Sequence, residues 1–253
     1  MDLGLAGMKA IVTGGTRGIG RAIVETLVAE GVSVSFCARN ANEVDKTVAA
    51  LSAQGAAIRG NVVDVTDRAG YESWLRRSVD DMGGADIFIP NVSGMGTGTD
   101  ESHWQASYET DLMHTVRGVD CLLPALAESG RGAIIIIGTI AAVETFYAPT
   151  AYGAIKAALL TYAKQMGQAV APHGVRINTV APGPVYFAGG VWDRTQKADP
   201  DAFAQVEARC LLGRMATPAD VARAVVFLAS PAAAATTGST LTVDCGFTQR
   251  VQF

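Results

Sequence analysis

Tyr152 and Lys156 stand four residues apart in the stretch GTIAAVETFYAPTAYGAIK, and Thr139 precedes them in the same stretch. Residues four apart on a helix share a face, so this spacing brings a phenol and an ammonium together. A free phenol ionises near pH ~10, so service as a base near pH 7 demands a shift of roughly three units, or about 4 kcal/mol. An ammonium roughly 5 Å away, at an effective dielectric near 20, supplies about 3 kcal/mol of this. The chemistry such a pair offers is proton transfer to or from an oxygen. A tyrosine and a lysine one turn apart also occur in plain surface packing, so the decision rests on the elements that carry them.

Those elements are short β-branched runs alternating with longer amphipathic stretches. Residues 9–14, 32–38, 56–60, 85–91, 132–139, 175–182 and 240–244 read as strands, and their near-continuous hydrophobicity suits strands covered on both faces. Between them, RAIVETLVAEG carries Gly31 where a helix should end, and TPADVARAVVFLAS offers Thr217 as cap, Pro218 in the first turn and Asp220 at the positive end. The alternation predicts an α/β fold: one Rossmann-type doubly wound parallel sheet of about seven strands with helices on both faces. No linker or repeat divides residues 1–253, so one domain is expected. Apolar residues make up 49% and charged residues 17%, which excludes disorder and supplies a large buried sheet.

The glycine turn TGGTRGIG joins the first strand to the first helix. Gly14 permits a tight turn, Gly18 allows close approach of a ligand's pyrophosphate, and Gly20 lets helix pack on strand. The helix N-terminus then offers free N–H groups and a positive dipole end, so this turn predicts a dinucleotide site that includes Thr16, Arg17 and Ile19. At the end of the second strand, CARN places Arg39 where an acidic residue would select a ribose 2′-hydroxyl. Arg17 and Arg39, with no carboxylate between them, favour a 2′-phosphate and hence NADP(H).

The order and spacing of TGGTRGIG, DV at 64–65, NVSG at 91–94, YGAIK at 152–156, APGPV at 181–185 and VDCG at 243–246 resemble the short-chain dehydrogenases/reductases over essentially the whole chain, 3-oxoacyl-carrier-protein reductases among them. The resemblance implies that Asp64 and Val65 hold the adenine, that Asn91 and Gly94 line the cofactor wall, and that Pro182, Gly183 and Val185 lie against the nicotinamide. It implies a hydride transfer between NADP(H) and a ketone or secondary alcohol. In that reaction Tyr152 exchanges the proton and Lys156 tunes the phenol and holds the nicotinamide ribose.

Two members of the family's Asn–Ser–Tyr–Lys set differ here, where Asp111 and Thr139 occupy the first two places. Thr139 keeps the hydroxyl, with a methyl that narrows the pocket. Asp111 can keep the asparagine's main-chain role, while its carboxylate is expected to pair with Lys156, raise the lysine's pKa and change the pH profile. Phe187 stands near the place of a threonine that bonds the carboxamide in family members, leaving that role to the main chain of Val185. The alternative is a non-catalytic NADP(H)-binding sensor or scaffold, which gains nothing from a tuned phenol and is therefore the weaker reading.

Loops near 93–103 and 184–210 are expected to carry specificity. Met95, Tyr186 and Phe187, with Tyr147 and Trp192, suggest an apolar pocket for a hydrophobic or cyclic ketone or an acyl β-keto group. The net charge of −4 without a basic run excludes nucleic acid as a favoured partner. AIIIIG is too short to span a bilayer, and the N-terminus enters a strand without a signal peptide, so a cytoplasmic protein is expected. Cys37, Cys121, Cys210 and Cys245 lack metal-ligand spacing, so no metal is expected. Helices expected at 101–129 and 151–172 carry apolar residues beyond one core stripe, and this surplus face, together with the resemblance, implies a homodimer or homotetramer.

Overall fold

The computed structural model describes residues 2–53, 55–95, 98–145 and 150–251. Its centre is a seven-stranded sheet in the order β3-β2-β1-β4-β5-β6-β7, with every pairing parallel. The strands are β1 (Lys9–Thr13), β2 (Ser33–Ala38), β3 (Ile58–Val62), β4 (Ile87–Ile89), β5 (Ala133–Ile137), β6 (Arg176–Pro182) and β7 (Thr240–Val243). All seven predicted runs are strands. The third lies two residues later than expected: AAIRG is less apolar than IRGNV is well paired, and pairing with β2 sets the register.

Successive residues of the central strands enter opposite layers. Ala10 and Val12 join one core with Ile23, Val24 and Leu27 of α1 (Gly18–Ala29) and Val225 of α9 (Pro218–Ala229). Ile11 joins the other with Trp74 of α3 (Arg68–Met82), Leu122 of α5 (His114–Glu128) and Leu159 of α6 (Ala151–Val170). The two-residue period of a strand thus feeds both faces. α2 (Ala41–Ser52) closes the first layer at the β3 edge. The α9 start is as expected: the Thr217 hydroxyl accepts from the Asp220 N–H at 3.2 Å, and the Asp220 carboxylate accepts from the Thr217 N–H at 2.9 Å.

The predicted helix at 101–129 is interrupted. α4 (Glu101–Ser107) runs into a π-helical turn, Tyr108–Met113, before α5 begins. Such a turn takes in an extra residue and rotates whatever follows, and it recurs at functional sites. Asp111 lies within it. The chain leaves β1 toward β3 on one side and returns at β4 on the other, which opens a crevice at the carboxyl ends of β1 and β4.

Candidate active site

At that crevice the glycine turn is tied down from two sides. The Gly14 and Gly15 N–H groups donate to the Cys37 carbonyl of β2 at 2.8 and 3.1 Å. Asn91, just beyond β4, donates from Nδ2 to the carbonyls of Thr13 (2.9 Å) and Gly14 (3.3 Å), and its own N–H donates to the Thr13 hydroxyl at 2.9 Å. Asn91 is therefore a clamp on the glycine turn. A Cβ at Gly20 would overlap the Gly14 carbonyl and the Asn91 amide, so only glycine lets α1 start here. Arg17 caps α1 without a side-chain hydrogen bond, which leaves the first-turn N–H groups to an anion.

Arg17 and Arg39 are both exposed beside this turn. Asp64, past β3, accepts from the Thr66 N–H at 2.9 Å and hydroxyl at 2.8 Å. These bonds, and the nearby Arg39 charge, hold its carboxyl below the usual range. Val65 beside it is buried. One neighbour escaped the sequence reading: Thr16 donates to the Glu43 carboxylate of α2 at 2.8 Å, which brings a negative charge to the glycine turn that carries Arg17. Thr16 and Glu43 are 27 residues apart, and nothing local signals their meeting.

Across the crevice, Thr139 lies two residues past β5 and is mostly buried. Its hydroxyl oxygen accepts from the Ala141 N–H at 3.2 Å, which leaves its own proton to donate elsewhere. A Cβ at Gly153 would stand 2.9 Å from the Ala141 carbonyl, so the glycine of YGAIK lets the first turn of α6 approach the Ile140–Ala142 turn. This brings Tyr152 beside Thr139's segment. Lys156 follows one turn later, with its Nζ 6.0 Å from the Tyr152 ring centre.

Lys156 is buried, and its Nζ donates to the Ile137 carbonyl at 3.0 Å and pairs with Asp111 Oδ1 at 3.3 Å. The other Asp111 oxygen accepts from the Gly94 N–H at 3.2 Å, and its main-chain carbonyl accepts from the Thr115 hydroxyl at 3.2 Å. The expected pairing is present, but its balance differs from expectation: burial pushes the Lys156 pKa down, and the Asp111 carboxylate only opposes that shift. His114, next along the helix, is buried as a neutral imidazole whose pKa burial and the Lys156 charge lower to about 3.

The far wall comes from β6 and the chain after it. Pro182 ends β6, and the Gly183 N–H donates to the Val243 carbonyl at 2.9 Å. Val185 bridges Ala216 through the Pro184 carbonyl and the Tyr186 N–H, so its own N–H and C=O point to the opposite edge. Phe187 packs over the glycine turn; a Cβ at Gly18 would lie 2.7 Å from its ring. Tyr186 packs into a neighbouring aromatic cluster. Its ring packs edge-on to Phe203 at 5.8 Å, and its hydroxyl is held by Gln196 at 2.8 Å, in a cluster that also buries Trp192. Met95 is half exposed, with a left-handed φ of 49°. Ile19 is partly buried behind the turn. Tyr147 lies outside the described residues, as does the middle of the loop at 93–103.

Among the described residues no cluster of His, Cys, Asp or Glu could hold a metal, and no helix is long and apolar enough to cross a membrane. A family model described as enoyl-(acyl carrier protein) reductase, of the short-chain alcohol dehydrogenase type, matches residues 14–248. The chain belongs to the short-chain dehydrogenase/reductase family. It is 34% identical to the isoepoxydon dehydrogenase patN of Penicillium expansum over 100% of this chain and 99% of that one. It is likewise 34% identical to the 3-oxoacyl-[acyl-carrier-protein] reductase FabG of Escherichia coli K12, over 95% and 97%. Among solved structures, a 7α-hydroxysteroid dehydrogenase complexed with NADH and 7-oxo glycochenodeoxycholic acid superposes with a TM-score of 0.91 at 26% identity, covering 99% of this chain and 98% of that one. The L-sorbose reductase of Gluconobacter frateurii, complexed with NADPH and L-sorbose, gives 0.88 at 29%, covering 99% and 100%. This short-chain dehydrogenase/reductase is accordingly an oxidoreductase that acts on a small molecule and uses a nicotinamide cofactor.

Proposed function

We propose that the protein interconverts a ketone and a secondary alcohol with NADP(H), using Tyr152 as general acid and base. One observation carries this reading: Tyr152, Lys156, Thr139 and Asp111, from three separate elements, converge at the carboxyl edge of β5. The residues present fit the cofactor. The α1 N-terminus lacks a side-chain cap, Arg17 and Arg39 suit a 2′-phosphate, and the outward main chain of Val185 suits a carboxamide. NADP(H), when bound, supplies or accepts the hydride.

Thr139 donates its free hydroxyl proton to the substrate oxygen and fixes its position. Tyr152 gives that oxygen a proton during reduction and removes one during oxidation. Lys156, held by the Ile137 carbonyl, biases the phenol toward ionisation and reaches for the ribose hydroxyls. The Asp111 main chain stays within the helix and keeps the role of the family's asparagine. Phe187 and Met95 shape an apolar pocket that suits a hydrophobic or cyclic ketone better than a charged one. We further propose a homodimer or homotetramer, supported by the exposed Leu211, Leu212, Phe227 and Leu241 on the α9–β7 side; light scattering of the purified protein reads this directly. The test of the activity is NADPH oxidation against a panel of cyclic and acyl β-keto substrates, with Tyr152→Phe as control. Turnover that survives in the phenylalanine variant overturns the assignment.

A further inference from the structure

The Asp111–Lys156 pair changes the electrostatics of the site in a way that an asparagine would not. Both side chains are almost wholly buried, at 0% and 3% exposure, and their charges lie 3.3 Å apart. The second carboxylate oxygen is fixed by the Gly94 N–H, so the carboxylate is held from both ends. A buried ammonium with a carboxylate against it acts on a nearby phenol as a dipole, and a dipole's field is weaker than that of the ammonium alone.

We propose that Asp111 is the counter-ion of Lys156 and a positioning residue for proton transfer: held against the ammonium, its carboxylate offsets the ammonium's field at Tyr152. Tyr152 then holds its proton to higher pH than the uncompensated lysine would allow, which suits delivery of that proton to a carbonyl. The groups that face this pair are His114 of α5, Tyr152 of α6 and Thr139 beyond β5. His114 is neutral. Arg117, which faces His114 from behind, is paired with Glu109 at 2.9 Å. Among the described residues, Asp111 is the charge that opposes burial at the lysine.

The functional consequence rests on Tyr152 as the acid and base, but the ionisation itself is readable without turnover. The phenolate absorbance near 295 nm is titrated as a difference, wild type minus Tyr152→Phe and Asp111→Asn minus Asp111→Asn/Tyr152→Phe, so the other tyrosines cancel. A unit charge roughly 8 Å from a phenol, at an effective dielectric near 20, shifts its ionisation by about 1.5 units. The Asn background should therefore titrate lower by about one unit or more. An unchanged or raised midpoint overturns the proposal.

Lys156→Met, which keeps Asp111, provides a second measurement that does not depend on the Asn variant folding. Relative to wild type it should gain melting temperature as the pH falls from 8 to 5, because the stranded carboxylate takes up a proton. A difference from wild type that is flat with pH also overturns the proposal. In turnover, the rising limb of the pH profile for alcohol oxidation should move down together with the phenol titration in Asp111→Asn. A shifted titration with an unshifted rate profile upholds the counter-ion and removes Tyr152 from its role as base.

Discussion

The two ends of the crevice are built on opposite electrostatic terms. At the β5 end, Asp111, Lys156 and His114 are buried, and the Asp111 and Lys156 charges are paired and held by main-chain groups, so each is felt strongly by its neighbours. At the β2 end, Arg17 and Arg39 are exposed, and Glu43 is only partly covered. Charges there are screened by water and salt, and each contributes modestly. In the proposed function, the same kinds of residue therefore set reaction chemistry at one end and cofactor preference at the other.

The largest expected effect tests the buried end. Tyr152→Phe should lower kcat by about 10²- to 10⁴-fold while leaving NADP(H) affinity nearly unchanged, as read by steady-state kinetics and cofactor fluorescence titration. Next comes acid stability. His114 is neutral in the fold down to about pH 3, against 6.5 for a free imidazole, so the unfolded chain binds a proton first as pH falls. Its contribution to stability is whole above pH 6.5 and is lost between 6.5 and about 3. Urea melts of wild type and His114→Asn should accordingly converge as pH falls, by up to about 1.4 kcal/mol per unit.

The exposed end should respond less, and should respond to salt. Arg17→Ala and Arg39→Ala should each weaken NADP(H) about tenfold with little change for NAD(H), a contrast that shrinks at high ionic strength. Glu43→Gln should tighten NADP(H) by about twofold to fivefold, because it removes a partly screened negative charge from beside the 2′-phosphate site. Smallest of all, Arg68→Ala breaks only a surface pair with Glu72 and should leave stability within about 0.5 kcal/mol. A tenfold response of NADP(H) affinity to salt in the Arg17→Ala/Arg39→Ala double variant would erase the distinction between the two ends.

Much of the frame was legible because its causes are local. AIIII over residues 133–137 can only be a strand buried on both faces, and Thr217-Pro-Ala-Asp220 starts a helix by hydrogen bonds within four residues. The Gly14–Gly20 turn is likewise a short-range constraint, although its anchoring by Asn91 reaches across the sheet. Tyr186 reads as a pocket residue in sequence because it lies in the loop expected over the site; that its hydroxyl donates to Gln196, ten residues on and in a helix of its own, was not legible there. The interruption at Tyr108–Met113 was hidden because YETDLM contains no glycine or proline, and a π turn leaves no periodic mark over six residues.

The sequence by itself determined the seven strands, the cofactor turn and the Tyr152–Lys156 face, since periods of 2 and 3.6 residues and the steric demands of glycine act between near neighbours. Tertiary structure alone decided how deeply the Lys156–Asp111 pair is buried, where Glu43's charge falls and that Phe187 lies over Gly18. These meetings join elements far apart in the chain, and their geometry depends on sheet order and on the rotation introduced by one π turn. No local pattern encodes either.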